Sequence, residues 1–244
     1  MTTFSDLKID QSDDPDMSLP PERRYGLVVH TSDITRAQLV RLPWDYNYCG
    51  LPRDDQDVVT AVRASMSIPF FFEPVTTGAR AADIEVPMPD GSRIQQHYDA
   101  GTVTWADGSM PENFPISAFD REDGGSARSP TIGIKLSSLQ TSFPATLACS
   151  TALGVAIGTL RTLTNEWDRY DADQTTAART IFVDNAGLPL PSLILPRLSR
   201  ISCTSNGVEA ATSFIIEMSK ADGVPRDAEQ ARQFVRTRQA AADR

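Results

Sequence analysis

Short apolar segments of strand length alternate with helical segments along most of this chain, and this alternation constrains its fold more than any other feature. The strand-like segments are rich in Val, Ile and Leu and are bounded by Gly, Pro, Asp and Ser. The segments between them repeat apolar residues at helical spacing. With 244 residues and 40% hydrophobic content, the chain can bury a sizeable core. The pattern predicts a layered α/β fold.

Turn residues separate the predicted strands. "YGLVVHTSDITRAQLVRLP" predicts two strands around a polar turn at Ser32 and Asp33. "VPMPDGSRIQQHYDAG" contains a Pro–Asp–Gly–Ser turn, which predicts a hairpin. "SPTIGIKLSS" and "TIFVDNAG" predict two further apolar strands.

The first predicted helix lies in "DDQDVVTAVRASMS". Asp54 or Asp55 is the predicted cap, because a carboxylate there accepts free backbone N–H groups. Pro69 ends the helix. The run that follows, "FFFEPV", is predicted to be buried because it is apolar and short.

Two longer helices are predicted in the second half of the chain. The uncharged run Leu136–Leu160 has the length of a membrane span, but Pro144 and polar residues interrupt it. We therefore expect a buried or lipid-facing helix over about Ala145–Arg169 and no membrane span. "SNGVEAATSFIIEMSK" predicts an amphipathic helix capped by Ser205 or Asn206.

Composition predicts three regions: a polar leader over 1–24, a main domain over 25–222 and a charged helical tail over 223–244. The leader is acidic and has no apolar signal segment, so a cytoplasmic location is expected. Cys49, Cys149 and Cys203 are widely separated, which predicts neither a metal site nor a disulfide framework.

Several classes of function are disfavoured by charge and motif. The net charge of −9 disfavours nucleic-acid binding, which needs a basic face. The two histidines, His30 and His97, lie in no metal-ligand spacing. The sequence has no P-loop, no dinucleotide-binding glycine pattern and no Gly-x-Ser-x-Gly. No metal or cofactor is predicted.

Carboxylate chemistry remains, and the stretch "ADGSMPENFPISAFD" (Ala106–Asp120) is its strongest candidate. Asp107 opens an Asp–Gly turn directly beside an apolar segment. A carboxylate held on such a loop can act as a general base for a hydroxyl nucleophile. It can equally form an Asx-turn, in which it bonds only its own backbone. The residues alone leave both interpretations open.

Two segments together resemble the second half of patatin-like phospholipase domains. "AVRASMSIPFFFEPV" (Ala61–Val75) is similar to a helix end of the type Arg-Ala-Ser-x-Ser-x-Pro followed by aromatic residues. "ADGSMPENFPISAFD" is similar to an Asp-Gly-Gly or Asp-Gly-Ala motif followed by Asn-x-Pro, here Asn113 and Pro115. The resemblance extends over roughly Tyr25 to Met218.

The resemblance implies a three-layer α/β/α fold and a Ser–Asp dyad that hydrolyses acyl esters of lipids without a cofactor. Asp107 takes the place of the base, Gly108 allows the turn, and Asn113 and Pro115 fix the loop. Ser109 replaces the usual Gly or Ala, and its hydroxyl can compete for Asp107. Supporting structure is expected from the preceding helix end, at Arg63, Ser65, Ser67 and Pro69.

The serine of the dyad is not found. In the family it lies on a Gly-x-Ser-x-Gly turn that would precede Tyr25, and Ser5, Ser12 and Ser18 lack the flanking glycines. The fold is therefore expected to be incomplete, without its nucleophile-bearing part, and the chain alone inactive. A fragment of a longer hydrolase is the favoured explanation; a complete but inactive protein, or activation by a partner chain, are the alternatives.

Two functions follow from these observations. The first is a lipid acyl hydrolase that carries only the Asp half of its dyad, with a lipid or another ester as substrate. The alternative is an inactive lipid-surface or protein-interaction module, in which "FFFEP" and the Ala145–Leu160 helix contact acyl chains or a partner. Peripheral membrane contact and self-association through exposed sheet edges are the accompanying expectations.

Overall fold

The computed structural model describes residues 2–9, 20–88, 90–112, 114–120, 129–136, 150–152, 154–156, 158–159, 162, 174–183, 197–220, 223–225, 229–234 and 236. The chain divides into two compact units. Unit 1 comprises Met1–Asn113 with Leu160–Trp167, and unit 2 comprises Phe114–Thr159 with Asp168–Arg244.

Eight strands and three α-helices have defined bounds within the described residues. The strands are β1 (Val29–Asp33), β2 (Gln38–Leu42), β3 (Val75–Ala79), β4 (Ala82–Pro87), β5 (Arg93–Tyr98), β6 (Gly101–Asp107), β7 (Gly133–Leu136) and β8 (Thr180–Val183). The helices are α1 (Val58–Ser65), α2 (Gln174–Ala178) and α3 (Arg197–Lys220). The protein is thus a mixed α/β structure with antiparallel sheets and several helices.

A four-stranded antiparallel sheet in the order β2-β1-β6-β3 forms the centre of unit 1. β1 is buried along its whole length although its sequence, VHTSD, is polar. Its hydroxyls are satisfied by β6: Thr31 Oγ1 donates to the Ala106 carbonyl at 2.7 Å, and Ser32 Oγ donates to the Asp107 carbonyl at 2.6 Å. These bonds and the Thr31–Asp107 register pair fix the end of β6 against β1.

An aromatic cluster fills the core of unit 1, and it includes a residue of the predicted leader. Phe4, in a 3₁₀ helix over Phe4–Leu7, is fully buried and makes edge contacts with Tyr25 and Tyr46 at ring-centroid distances of 6.3 and 6.1 Å. The Phe4 N–H donates to the Gln56 carbonyl at 3.0 Å. Residues 2–9 are therefore part of unit 1 and not a leader with little structure. The polar composition around Phe4 did not indicate that this one aromatic side chain would be buried.

α1 packs its small residues, Ala61 and Ala64, into this core. Its cap is Asp57, whose carboxylate accepts the Thr60 N–H at 2.9 Å, so the prediction of Asp54 or Asp55 is wrong. Tertiary contacts engage Asp54 instead, through Lys8 at 2.8 Å and the Tyr25 hydroxyl at 2.6 Å.

The run that follows α1 also differs from the prediction. Phe70, Phe71 and Phe72 are 65%, 46% and 40% exposed, so "FFFEPV" is not buried as a block. Only Val75, where β3 begins, enters the core cluster. Phe70 has a φ of 71°, a left-handed conformation that is uncommon for a bulky residue. Unit 1 thus presents three consecutive aromatic side chains at its surface.

The hairpin predicted around the Pro–Asp–Gly–Ser turn is present as β4 and β5. One face carries polar cross-strand pairs, with Asp83 opposite His97 and Glu85 opposite Gln95. The hairpin forms its own two-stranded sheet.

Unit 2 contains the two later strands and the longest helix. β7 and β8 pair in parallel, as a two-stranded sheet. α3 has 24 residues and begins at Arg197, so the predicted cap at Ser205 or Asn206 is wrong. Within the predicted Ala145–Arg169 helix, the helical residues among those described are 152, 154–156, 158–159 and 162. In the predicted tail, 229–234 and 236 are helical.

Across the part of the chain that the structure describes, no helix combines the length and the apolar character needed to cross a bilayer.

Candidate active site

Asp107 lies at the carboxyl end of β6, where β1 and the end of α1 fix its backbone. Its N–H donates to the Ser67 carbonyl at 3.0 Å, just after α1, and its carbonyl accepts the Ser32 hydroxyl of β1. Ser67 is itself buried, and its hydroxyl donates to the Arg63 carbonyl at 2.8 Å. The Asp107 residue is only 8% exposed. Arg63 and Ser67, predicted as supporting structure, do contact this region.

Gly108 is required by close packing. Its N–H donates to the Ser65 carbonyl at 3.3 Å, and a Cβ at this position would lie 2.1 Å from the His30 carbonyl oxygen. The neighbouring Thr31 backbone nitrogen would be 3.1 Å away. No side chain fits against this stretch of β1, so glycine is needed here for a close backbone approach.

The Asp107 carboxylate forms an Asx-turn with Ser109. Its Oδ1 accepts the Ser109 N–H at 2.8 Å and also the Ser109 hydroxyl. Among the contacts of the described residues, both hydrogen bonds to this carboxylate are made at Oδ1. The turn therefore orients the carboxylate through one oxygen, and the Ser109 hydroxyl occupies that oxygen as a competitor.

The same tripeptide occurs a second time, at the tip of the β4–β5 hairpin. Asp90 Oδ1 accepts the Ser92 N–H at 2.9 Å and the Ser92 hydroxyl at 2.6 Å, the same two bonds as at Asp107. These bonds lower the pKa of Asp90. Asp90 is exposed, and nothing lies within 4 Å of a Cβ added at Gly91. The Asp–Gly–Ser sequence alone thus produces the turn. Burial and backbone bonds to other elements distinguish Asp107 from Asp90, whose neighbours bond within the hairpin.

A side-chain contact that the sequence did not reveal joins this loop to β1. The Glu112 carboxylate lies 3.2 Å from His30 Nδ1, and the two atoms do not meet the angular requirements of a hydrogen bond. The contact with the His30 ring lowers the pKa of Glu112 below its ordinary value, and the charge of Arg41 acts in the same direction. No sequence motif joins His30 and Glu112, because the two residues are far apart in the chain. The pairing of β1 with β6, and the loop after β6, bring them together.

Asn113 and Pro115 are the remaining predicted loop residues. Asn113 is outside the described residues. Pro115 belongs to unit 2, where its neighbour Phe114 packs beside Gly133 and under the Lys135 ammonium at 5.3 Å. The structure therefore brings together Asp107, Gly108, Ser109 and the end of α1, while the roles of Asn113 and Pro115 stay predictions.

Other sites on the described surface are less suited to this chemistry. No group of three potential metal ligands occurs among the described residues. A cavity of about 350 Å³ opens in unit 1 beside Arg36, Gln38 and Tyr98, and Asp107 does not line it. His97 pairs with Asp83 at 2.7 Å on the exposed hairpin, a contact that raises the pKa of His97. The Asp107 loop is the one of these features that combines burial, a carboxylate and a fixed backbone.

Comparison with known proteins gives one informative match. The chain is 34% identical over 114 residues to the uncharacterized protein YqhO of Bacillus subtilis (strain 168), an alignment that covers 47% of this chain and 31% of YqhO. The chain thus matches less than a third of that protein's length. No protein-family model matches the sequence, and no solved structure matches it.

Proposed function

We propose that this chain carries the aspartate half of a patatin-like lipid acyl hydrolase, with Asp107 as the base of a Ser–Asp dyad. The observation that carries the proposal is the anchoring of Asp107. Its backbone is bonded to β1 and to the end of α1, and its carboxylate is oriented at Oδ1. A general base must be held in one place within reach of the proton that it removes, and this arrangement supplies such a position.

The reaction that fits this base proceeds in two matched halves. Asp107 takes the proton of a serine hydroxyl as the serine oxygen attacks the ester carbonyl, and then protonates the departing alcohol. Water repeats the sequence on the acyl-enzyme, which releases the fatty acid and regenerates the serine. Oδ1 already accepts two hydrogen bonds, so the proton is accepted at Oδ2. The serine, and the glycine-rich amides that would stabilise the oxyanion, come from a segment other than residues 25–222.

Exposed apolar surface in both units supports the incomplete three-layer α/β/α fold that accompanies this proposal. Parallel strands are normally covered on both faces, yet among the described residues β7 and β8 pair only with each other, and Ile134 in β7 is 68% exposed. In unit 1, Phe70 and Met66 are more than 60% exposed beside the Ser67 carbonyl that binds Asp107. These surfaces are suited to burial by additional strands and helices.

The test is ester hydrolysis by the full product of the reading frame that contains this chain. We expect Asp107→Asn to lower kcat by about 10²–10⁴-fold, the range usual for loss of a general base. The matched control is Asp90→Asn, since it removes the same Asx-turn carboxylate at the hairpin tip and should leave kcat unchanged. Wild-type hydrolysis that survives Asp107→Asn would refute the assignment of the base.

A second candidate, an inactive module that binds a lipid surface, is favoured by the exposed Phe70–Phe72 run. Aromatic side chains suit a membrane interface because they bury large area there. Phe71→Ser should then reduce co-sedimentation of the chain with phosphatidylcholine liposomes, while Ile94→Ser, at an exposed site on the hairpin, should not. Absence of wild-type binding above background would exclude this candidate.

A further inference from the structure

Local sequence does not determine where the Asp107 turn lies. The hairpin copy of Asp–Gly–Ser makes the same internal bonds, yet Gly91 has a φ of 81° and meets nothing within 4 Å of an added Cβ. Gly108, in contrast, lies against the His30 carbonyl. Contacts from outside the tripeptide must therefore hold the Asp107 turn in its place.

One residue of β1 touches both ends of the loop that contains this turn. At the near end, the His30 carbonyl packs against Gly108. At the far end, His30 Nδ1 lies 3.2 Å from the Glu112 carboxylate. The loop closes on itself between these points, because the Glu112 N–H donates to the Gly108 carbonyl at 3.4 Å. The six residues from Asp107 to Glu112 are thus held as one unit on His30.

The charges around this contact favour an ionised Glu112. Arg41 lies opposite His30 in the β1–β2 register, and its Nε bonds Asp45 at 3.1 Å. Burial lowers the pKa of the Arg41 guanidinium, but Asp45 and, after it, Tyr48 and Glu112 raise that pKa, and the net effect is an increase. His30 is almost fully buried, whereas Glu112 is partly exposed. A carboxylate is a favourable partner for the buried His30 ring, which lies opposite the Arg41 cation. Glu112 is the carboxylate that the loop supplies.

We propose that His30 and Glu112 are positioning residues, which hold the Asp107 loop on β1 so that its carboxylate keeps one direction. Neither residue takes part in the proton transfer. We call the His30–Glu112 contact the clamp. Its role in catalysis rests on the proposed function, whereas its effect on the Asp107 loop can be measured without catalysis.

The first experiment uses the chain as it stands and follows amide hydrogen exchange by NMR. Glu112→Gln and His30→Gln should accelerate exchange of the Gly108 and Ser109 amides by about tenfold relative to Val103 in the same strand, since local opening no longer breaks the pair. His97→Gln, which removes the matched pair on the hairpin, should leave both amides unchanged. Loop amides that stay within about twofold of wild type, or that accelerate only together with Val103, would overturn the proposal.

The second experiment separates this inference from the proposed function. In the full product of the reading frame, Glu112→Gln should lower kcat by about tenfold with little change in KM, and Glu112→Asp should restore part of the loss. Faster loop exchange in a protein without esterase activity would support the clamp and reject the proposed function. Activity that depends on Asp107 but not on Glu112, with unchanged loop exchange, would reject the clamp and keep the proposed function.

Discussion

Substitution of Gly108 by alanine tests the packing on which the whole Asp107 site depends. A methyl group at this position would lie 2.1 Å from the His30 oxygen and 2.5 Å from the His30 carbonyl carbon, both of them backbone atoms. To reach 3.0 Å, the shortest separation that real contacts tolerate, these atoms must part by about 0.9 Å. β1 cannot yield alone, because it is paired with β2 over five residues and with β6 over three.

The expected cost follows from this geometry. Overpacking that shifts backbone typically costs about 1–3 kcal/mol, and a clash with a doubly paired central strand belongs at the upper end of that range. A loss of about 3 kcal/mol lowers the melting temperature of a chain this size by about 6–12 °C. The measurements are thermal and urea unfolding, followed by circular dichroism and by the fluorescence of the buried Trp105.

Gly101→Ala is the matched control, because Gly101 begins the same strand and nothing lies within 4 Å of its added Cβ. It should be neutral or stabilise by a few tenths of a kcal/mol, through reduced entropy of the unfolded chain. Two outcomes would refute the reasoning: a melting temperature of Gly108→Ala within about 2 °C of wild type, or an equal loss in both variants.

Three further predictions concern other contacts. Asp57→Ala should lower the urea midpoint of unfolding through loss of the α1 cap, whereas Asp55→Ala, at an exposed site, should change it little; equal losses would contradict the assignment of the cap. Arg179→Met breaks a buried two-bond pair with Asp120, at 2.8 and 2.9 Å, and should cost about 3 kcal/mol by thermal unfolding; a cost below about 0.5 kcal/mol would show that the pair is not formed. The pKa of Glu112 is lowered on folding, so its contribution to stability is present above its ordinary pKa of about 4.3 and is lost as the pH falls through the folded value. The melting temperatures of wild type and Glu112→Gln should therefore converge in acid. A difference in melting temperature that stays constant with pH would contradict this.

Local patterns predicted the strands because period and turn chemistry are local properties. The hairpin around Asp90 and Gly91 follows from alternation and from its Asp–Gly turn. The strand pair β1–β2 is also present, but the predicted turn at Ser32 and Asp33 is wrong: both residues lie buried in β1, and the turn is formed by residues 34–37. The α1 cap was mistaken because three aspartates lie within four positions, and tertiary contacts of Asp54 left Asp57 to cap the helix.

Burial was harder to predict because apolar character does not say what covers a side chain. Phe4 stands in a polar segment but lies in the core, whereas Phe70 stands in an apolar segment and is exposed. The start of α3 was also not predicted from local residue types. Ser205 has a side chain suited to capping, yet the helix continues through it from Arg197.

For the candidate site, the sequence predicted the carboxylate and the supporting end of α1, but not the contact between His30 and Glu112. Asp107 and Gly108 stand in a motif of fixed spacing, so a pattern can find them. His30 and Glu112 are far apart in sequence and meet only because β1 and β6 are neighbours in the sheet. A lone histidine carries no such information, so its role appeared only with the strand pairing.

The two Asp–Gly–Ser turns show what separates a structural carboxylate from a candidate base. Their internal hydrogen bonds are the same, so the motif and its Asx-turn cannot carry the assignment. The chain around Asp90 is bonded only within its own exposed hairpin among the described contacts, whereas the chain around Asp107 is bonded to β1 and to the end of α1, and Gly108 admits no side chain. A general base must keep its position when a hydroxyl approaches and when a proton moves, and only the arrangement around Asp107 provides that constraint. The assignment of Asp107 as a base therefore rests on the bonds of its backbone to β1 and to the end of α1. Without those contacts, we expect Asp107 to form an Asx-turn that no other element holds in place, as Asp90 does.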